Sequence, residues 1–413
     1  MSDNAPLSAG AAVIEVTPDL AMINGRFKKP YRDLLEPLFA RALVLGDGGC
    51  KVALVCWDLI GAREDAVADL RRAVREATDI PEAHILVNSS HSHSAPSYPS
   101  PRAAATTGPG ARPDPTEDPA YREWASRFPG VIADVVLQAD AARRPCTLGV
   151  GYATVAEWLF NRRPRTPEGA VTTMFVPKDP CALPDGLRFR PVDPVATVLT
   201  FREASGDAVA TLFSAACHGV SIYHHYQGLS SDWPGATVAN IAAALGGEAL
   251  FLQGCCGNVV PARRGIEARN AMARLVADRV VAAARQSRDL PPAPLACASA
   301  HVGLPLNERG RSRAGTLTAT AEIQAITCGP LAIVTIPGEP LIELSLEIRE
   351  RSPFPHTIVA GYSNGGGVGY VGMPGEFARG GYESGAGRGA DEAGRILVET
   401  AVRLLREQRA ARG

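Results

Sequence analysis

The opening MSDNAPLSAGAAVIEVTPD lacks both a basic stretch and a long apolar one, so no secretory leader is expected and a cytoplasmic protein is. No run of about 18 uncharged apolar residues occurs, so no membrane span is expected. Neither sign of charge is in excess, with 42 Lys and Arg against 43 Asp and Glu. That balance offers nothing to nucleic acid or to an anionic membrane surface. The nine cysteines are odd in number, scattered from Cys50 to Cys328, and form no CxxC pair. Reduced, mostly buried thiols are expected rather than a disulfide framework. The Gly-rich stretch Gly361–Ser384 lacks the Lys-Ser/Thr of a phosphate loop, which excludes a nucleotide cradle there.

What is present is ordinary globular material. Of 413 residues, 46% are hydrophobic and 21% charged, enough apolar mass for a sizeable core. Apolar runs alternate with amphipathic segments, which predicts an α/β fold of mixed β-sheets flanked by helices. Strands are expected at 12–17, 41–45, 51–58, 84–89, near 147–155, 171–176, 194–202 and 208–216, then at 249–252, 296–302 and 317–327. Helices are expected at 63–78, 117–142, 235–245, 268–286 and 391–408. Residues 94–118, rich in Pro, Ala, Gly and Thr, predict a long loop of the kind that forms lids or site walls.

One stretch echoes another. From Gly46 the order is turn, apolar strand (KVALVCWD), helix, Pro, strand (HILVNS), then HSHSAP. From Cys328 it is turn, apolar strand (LAIVTIPGE), helix, Pro, strand (HTIVAGY), then a Gly-rich loop. This predicts two similar α/β halves packed face to face, with Asp58 corresponding to Glu339 and His91 falling just beyond Tyr362. Polar residues would then gather at strand ends, where α/β folds place their sites.

Three places carry residues suited to chemistry. His91 and His93 sit two apart just after an apolar strand, so in an extended segment both imidazoles face one side. Either both meet one metal, or one ligates while the other moves protons. His218, in LFSAACHGVS, also follows an apolar strand. Glu339, in TIPGEP, offers a hard oxygen where a strand gives way to a helix, although a first-turn Glu also answers to the helix dipole. Two His and a carboxylate with one open position suit a hydrolytic zinc. His224 and His225 lie in a polar stretch and read as surface or pocket rim. Cys255 and Cys256, in GCCGNVVP, are candidate nucleophiles, but adjacent buried thiols more often serve packing.

The ordered motifs AGAAVIEVTP, ARALVLGDG, VALVCWDLIG, NSSHSHSAP, FNRRP, CHGVS, SSDWPG, LQGCCGNVVP, PGEP and GY…Y…GGYE resemble the N-terminal catalytic domain of the neutral/alkaline non-lysosomal ceramidases. The resemblance runs from about residue 9 to 385 and implies a single catalytic domain over 1–413, without that family's C-terminal immunoglobulin-like domain. It implies that His91, His218, Glu339 and Tyr370 hold Zn2+. It also implies that His93 assists proton transfer, that Tyr382 is a second active-site Tyr, and that Arg162 faces the substrate. One departure stands out: where the family carries Gly-Asp-Val-Ser-Pro-Asn, this chain has Gly257-Asn258-Val259-Val260-Pro261-Ala262, so a Ser-based role is lost at Val260. With the absent leader, this points to a small soluble substrate rather than a lipid surface.

The implied function is zinc-dependent hydrolysis of an amide carbon–nitrogen bond in a small molecule. The amide preference comes from the resemblance alone. The same centre also suits ester or lactone hydrolysis, or a non-hydrolytic isomerase or lyase, and loss of the Ser leaves room for a metal-binding protein without turnover. A homo-oligomer is compatible with the sequence, dimers being common.

Overall fold

The computed structural model describes residues 6–24, 28–97, 100 and 117–411. Most of the predicted loop at 94–118 lies outside them. The described chain builds one unit three times. The first is β1 (Ser8–Glu15), β2 (Phe39–Gly46), β3 (Lys51–Trp57), α1 (Glu64–Ala77), β4 (Ile85–Ser89) and α2 (Pro119–Ala141). The second is β5 (Thr147–Thr154), β6 (Val195–Arg202), β7 (Ala208–Ala215), α3 (Asp232–Leu245), β8 (Glu248–Gln253) and α4 (Ile266–Arg285). The third is β9 (Leu295–Pro305), β10 (Thr318–Cys328), β11 (Leu331–Thr335), α5 (Ile342–Arg351), β12 (His356–Ala360) and α6 (Ala393–Ala410).

Each unit makes the same sheet. Its first three strands pair antiparallel in sequence, and the last adds parallel to the third through a helical crossover. The final helix of each unit (α2, α4, α6) packs on its first two strands and against its own crossover helix. This is the predicted α/β class of mixed sheets flanked by helices. The two halves read from the sequence are the first and third units, and a second unit stands between them.

The pleat explains the layering, since alternate residues face opposite sides of a strand. On β2 and β3, Ala42, Val44, Ala53 and Val55 face α1 and α2 in one outer core, while Leu43, Leu45, Val52 and Leu54 face inward. The inner set meets Leu148, Leu199, Phe201, Leu212 and Leu250 of the second sheet and Leu295, Ile326, Leu331 and Ile333 of the third. Both faces are therefore buried, which is why these strands are almost unbroken apolar runs.

Two sequence expectations need correction. The register ends β3 and β4 at Trp57 and Ser89, and β11 and β12 at Thr335 and Ala360. His91 and Tyr362 then both lie two residues past their strands and correspond directly. Glu339 lies four residues past β11, whereas Asp58 lies one past β3. Asp58 serves structure, accepting from Arg41 Nη1 at 2.9 Å and from the Phe39 N–H at 3.0 Å. The strand expected at 171–176 is also not formed. Its N–H groups donate one by one to other segments, Val171 to Arg379, Thr172 to Pro164 and Met174 to Arg162, which laces it across a loop instead of into a sheet.

Candidate metal centre

The histidines and the carboxylate of the centre follow the C-terminal ends of parallel strands: His91 and His93 after β4, His218 after β7 and Glu339 after β11, with Tyr362 after β12. Two fully buried amides join these ends. Asn88 on β4 donates to the carbonyls of Gly361 (2.7 Å) and Gln253 (3.3 Å) and accepts from the Gln253 N–H (2.8 Å). Gln253 on β8 donates in turn to the carbonyls of Ser90 (2.8 Å) and Cys217 (2.9 Å). Glycine lets the backbones close. A Cβ at Gly219 would sit 2.9 Å from the His91 carbonyl oxygen, and one at Gly257 would sit 2.5 Å from that of Glu339.

His91 adopts φ 61° and Tyr362 φ 52°, left-handed conformations that cost non-glycine residues about 1–3 kcal/mol and tend to cluster at functional sites. The turn aims His91 inward, with the Tyr362 ring 4.2 Å from its own. Backbone carbonyls then fix the tautomers. His91 Nδ1 donates to Ile60 O at 2.5 Å, and His218 Nδ1 donates to Cys256 O at 2.6 Å. A carbonyl only accepts, so in the neutral imidazole the proton sits on Nδ1 and Nε2 presents a lone pair.

Those lone pairs converge. Glu339 Oε2 lies 3.4 Å from His91 Nε2 and 3.7 Å from His218 Nε2. Both His218 Nε2 and Glu339 Oε2 are sealed from solvent without a hydrogen-bond partner. His93 joins the same cluster, its Nε2 3.0 Å from His91 Nε2, and the three imidazoles offer nitrogens all within 4.8 Å of one another. Burial pushes His218 down to about 3 and His93 well below its ordinary value, so both imidazoles stay neutral at physiological pH. Neutral imidazoles with facing lone pairs and a carboxylate are the donor set of a divalent cation site.

Glu339 and Tyr370 are register partners in a short parallel pairing of Glu339–Pro340 with Tyr370–Val371, which sets phenol beside carboxylate. Burial raises the Tyr370 phenol well above its ordinary range, so only an adjacent cation favours the ionised form. Arg162 Nη2 donates to the Tyr370 hydroxyl at 3.1 Å and to Gly257 O at 2.8 Å. Behind it runs a buried ladder. Arg162 Nε meets Glu383 at 2.7 Å, Glu383 meets Arg163 at 2.5 Å, Arg163 meets Glu376 at 3.1 Å, and Glu376 meets Arg165. Tyr382 is half exposed, with its ring 5.8 Å from that of Tyr370 and 5.3 Å from that of Phe175.

All seven residues singled out in the sequence thus lie in one neighbourhood. Sequence reasoning gave no role to Tyr362 or Glu383, nor to Tyr223, whose ring is 4.9 Å from that of His93. A signal existed for two of them: Tyr362 occupies the place of His91 in the repeat, and Glu383 directly follows Tyr382. Cys255 and Cys256 are fully buried, and burial raises both thiols far from the reactive thiolate. Asn258 caps a helix, accepting from the Ile342 N–H at 2.8 Å and donating to Glu343 at 2.9 Å. Val260 packs with Phe160, Val220 and Ala262.

No family model matches the chain, and no curated protein matches it in sequence. Among solved structures it is similar to neutral ceramidase from Pseudomonas aeruginosa, with a TM-score of 0.74 and 15% identity over 98% of this chain and 75% of that one. It is equally similar to a ceramidase complexed with C2, with a TM-score of 0.74 and 15% identity over 98% of this chain and 76% of that one. At such identity the likeness is one of fold, and it shows that the threefold-repeated α/β scaffold described here is that of the neutral ceramidases.

Proposed function

We propose that the protein is a zinc-dependent hydrolase that cleaves an amide carbon–nitrogen bond in a small soluble substrate. The observation that carries this is the meeting of His218 Nε2 and Glu339 Oε2, both buried without a hydrogen-bond partner, with His91 Nε2 3.4 Å from the same carboxylate. Acceptors at such separations repel unless a cation lies between them. His91, His218 and Glu339 would hold it, with Tyr370 as the fourth donor. The amide preference is supported by the similar structures, which are named as ceramidases.

When bound, zinc supplies a Lewis acid that polarises a carbonyl and lowers the pKa of water towards about 7. The chain does the rest. His93, neutral and not fully buried, takes a proton on its imidazole and returns it to the leaving nitrogen. Among the described residues Arg162 has no partner at Nη1, and it donates there to the substrate oxygen on which negative charge grows. Tyr382, its ring 5.5 Å from the Arg162 guanidinium, donates its hydroxyl beside it.

Metal analysis joined to a substrate screen tests this. The purified protein should carry stoichiometric zinc and hydrolyse small N-acyl compounds faster than matched esters. Chelation should abolish turnover and added zinc restore it. Cleavage that survives complete chelation, or a clear preference for the ester of each pair, would overturn the proposal.

A further inference from the structure

We propose that Arg264 is an anion-binding residue of this centre, and that the substrate carries a carboxylate or similar oxyanion for it to receive. The inference deepens the hydrolase proposal and rests on it for where the rest of the substrate lies. It begins from an exception. Among the described residues, the buried arginines Arg41, Arg71, Arg162, Arg163 and Arg269 each pair with a carboxylate: Asp58, Glu322, Glu383, Glu376 with Glu383, and Glu36. Arg264 does not. It donates only to the carbonyl oxygens of Val220 and Phe175, the latter at 2.8 Å, and its Nε is sealed from solvent with no acceptor.

Carbonyls satisfy N–H groups but leave the charge without a carboxylate in contact. Holding a partly buried cation that way is costly, and natural chains keep one where something else supplies a direct counter-charge. Asp232 acts on it only through space: its oxygens accept from the N–H groups of Ser221, Ile222 and Trp233, and it makes no direct ion pair with Arg264. Burial lowers Arg264 to about 10, which leaves it charged at neutral pH. Nor does local helix energetics favour it. It directly precedes Gly265, the N-cap of α4, where the helix dipole opposes positive charge.

The location ties Arg264 to the centre. Phe175, whose carbonyl it holds, lays its ring 5.5 Å from the Arg162 guanidinium and 5.3 Å from the ring of Tyr382. Val220 lies two residues beyond His218. Phe175 thus links Arg162, beside its ring, to Arg264, on its carbonyl, and Arg264 retains one N–H on each of Nη1 and Nη2 for a ligand. An oxyanion there would be gripped by charge-assisted bonds while the scissile bond sits over the histidines.

Calorimetric titration of the zinc-loaded full chain with N-acetylalanine and with its uncharged carboxamide tests this. The carboxylate should bind about 10-fold or more tightly than the amide. Arg264→Gln should bring the two affinities together, and Arg264→Lys should keep part of the preference. Circular dichroism establishes that each variant is folded. If the Gln variant does not fold, the partial preference of the Lys variant and the wild-type pair still decide. Wild-type protein that binds both probes alike, or neither at millimolar concentration, overturns the proposal. So does a preference that survives Arg264→Gln, which would assign the carboxylate to the metal. A preference abolished by Arg264→Gln in a protein that cleaves no amide would leave this proposal standing and sink the hydrolase.

Discussion

His218 donates through Nδ1 to the carbonyl oxygen of Cys256 at 2.6 Å, and this bond settles what its other nitrogen does. The proton is held at the backbone, so Nε2 turns only a lone pair toward Glu339. Ile60 does the same for His91. The carbonyls come from two different repeats, so the centre depends on the assembly of the units rather than on any one of them.

Removing either imidazole should therefore remove metal. His91→Ala and His218→Ala should each weaken zinc binding by more than the roughly 10–100-fold typical of losing an outer partner of a ligand. Zinc content after dialysis against a weak chelator measures this. Wild-type occupancy in both variants would take these residues out of the ligand set.

His93 should behave differently. Its Nε2 lies 3.0 Å from that of His91, but Glu339 approaches His91 and His218. His93→Ala should keep zinc and lose about 10²–10⁴-fold in kcat, the usual contribution of a placed proton carrier. Zinc loss in this variant would make His93 a ligand, and unchanged kcat would remove it from proton transfer.

Much of this centre was legible in the sequence because strand ends deliver side chains predictably. His91, His218 and Glu339 each follow an apolar run that becomes a buried parallel strand. The repeat was only half legible. The first and third units share a turn, strand, helix, Pro, strand order, while the second unit is joined through a long irregular stretch between β5 and β6. The 171–176 segment misled because Val, Met and Phe suit a strand as well as a site wall. The Arg–Glu ladder was hidden for another reason: Arg162 and Glu383 are far apart in the chain, and no local period links a charge to its partner.

That ladder makes its own prediction. Glu383 is fully buried and accepts from both Arg162 and Arg163. Glu383→Leu removes the shared carboxylate and leaves two buried guanidiniums short of counter-charge, so it should cost about 3–5 kcal/mol of unfolding free energy. Urea denaturation reads the loss. A change under about 1 kcal/mol would mean that water or movement of Glu376 replaces the missing partner.

Asn88 offers the sharpest test of how the three units depend on one another. Its amide bonds Gln253 of the second unit and Gly361 and Ser363 beyond the third sheet, and it has no exposure to solvent. Asn88→Ala leaves the Gln253 N–H without an acceptor, and a buried unsatisfied group costs about 1–3 kcal/mol. Water has little room to replace it among fully buried neighbours. The strand ends carrying His91 and Tyr362 also lose their common anchor. Unfolding free energy should therefore fall by a few kcal/mol, in one transition seen alike by fluorescence and circular dichroism, and zinc affinity should fall with it. If stability drops while zinc affinity holds, Asn88 only joins the sheets and His91 keeps its aim through Ile60 alone. Two separated transitions would instead mean that the units fold independently, and the centre would then have to assemble after them.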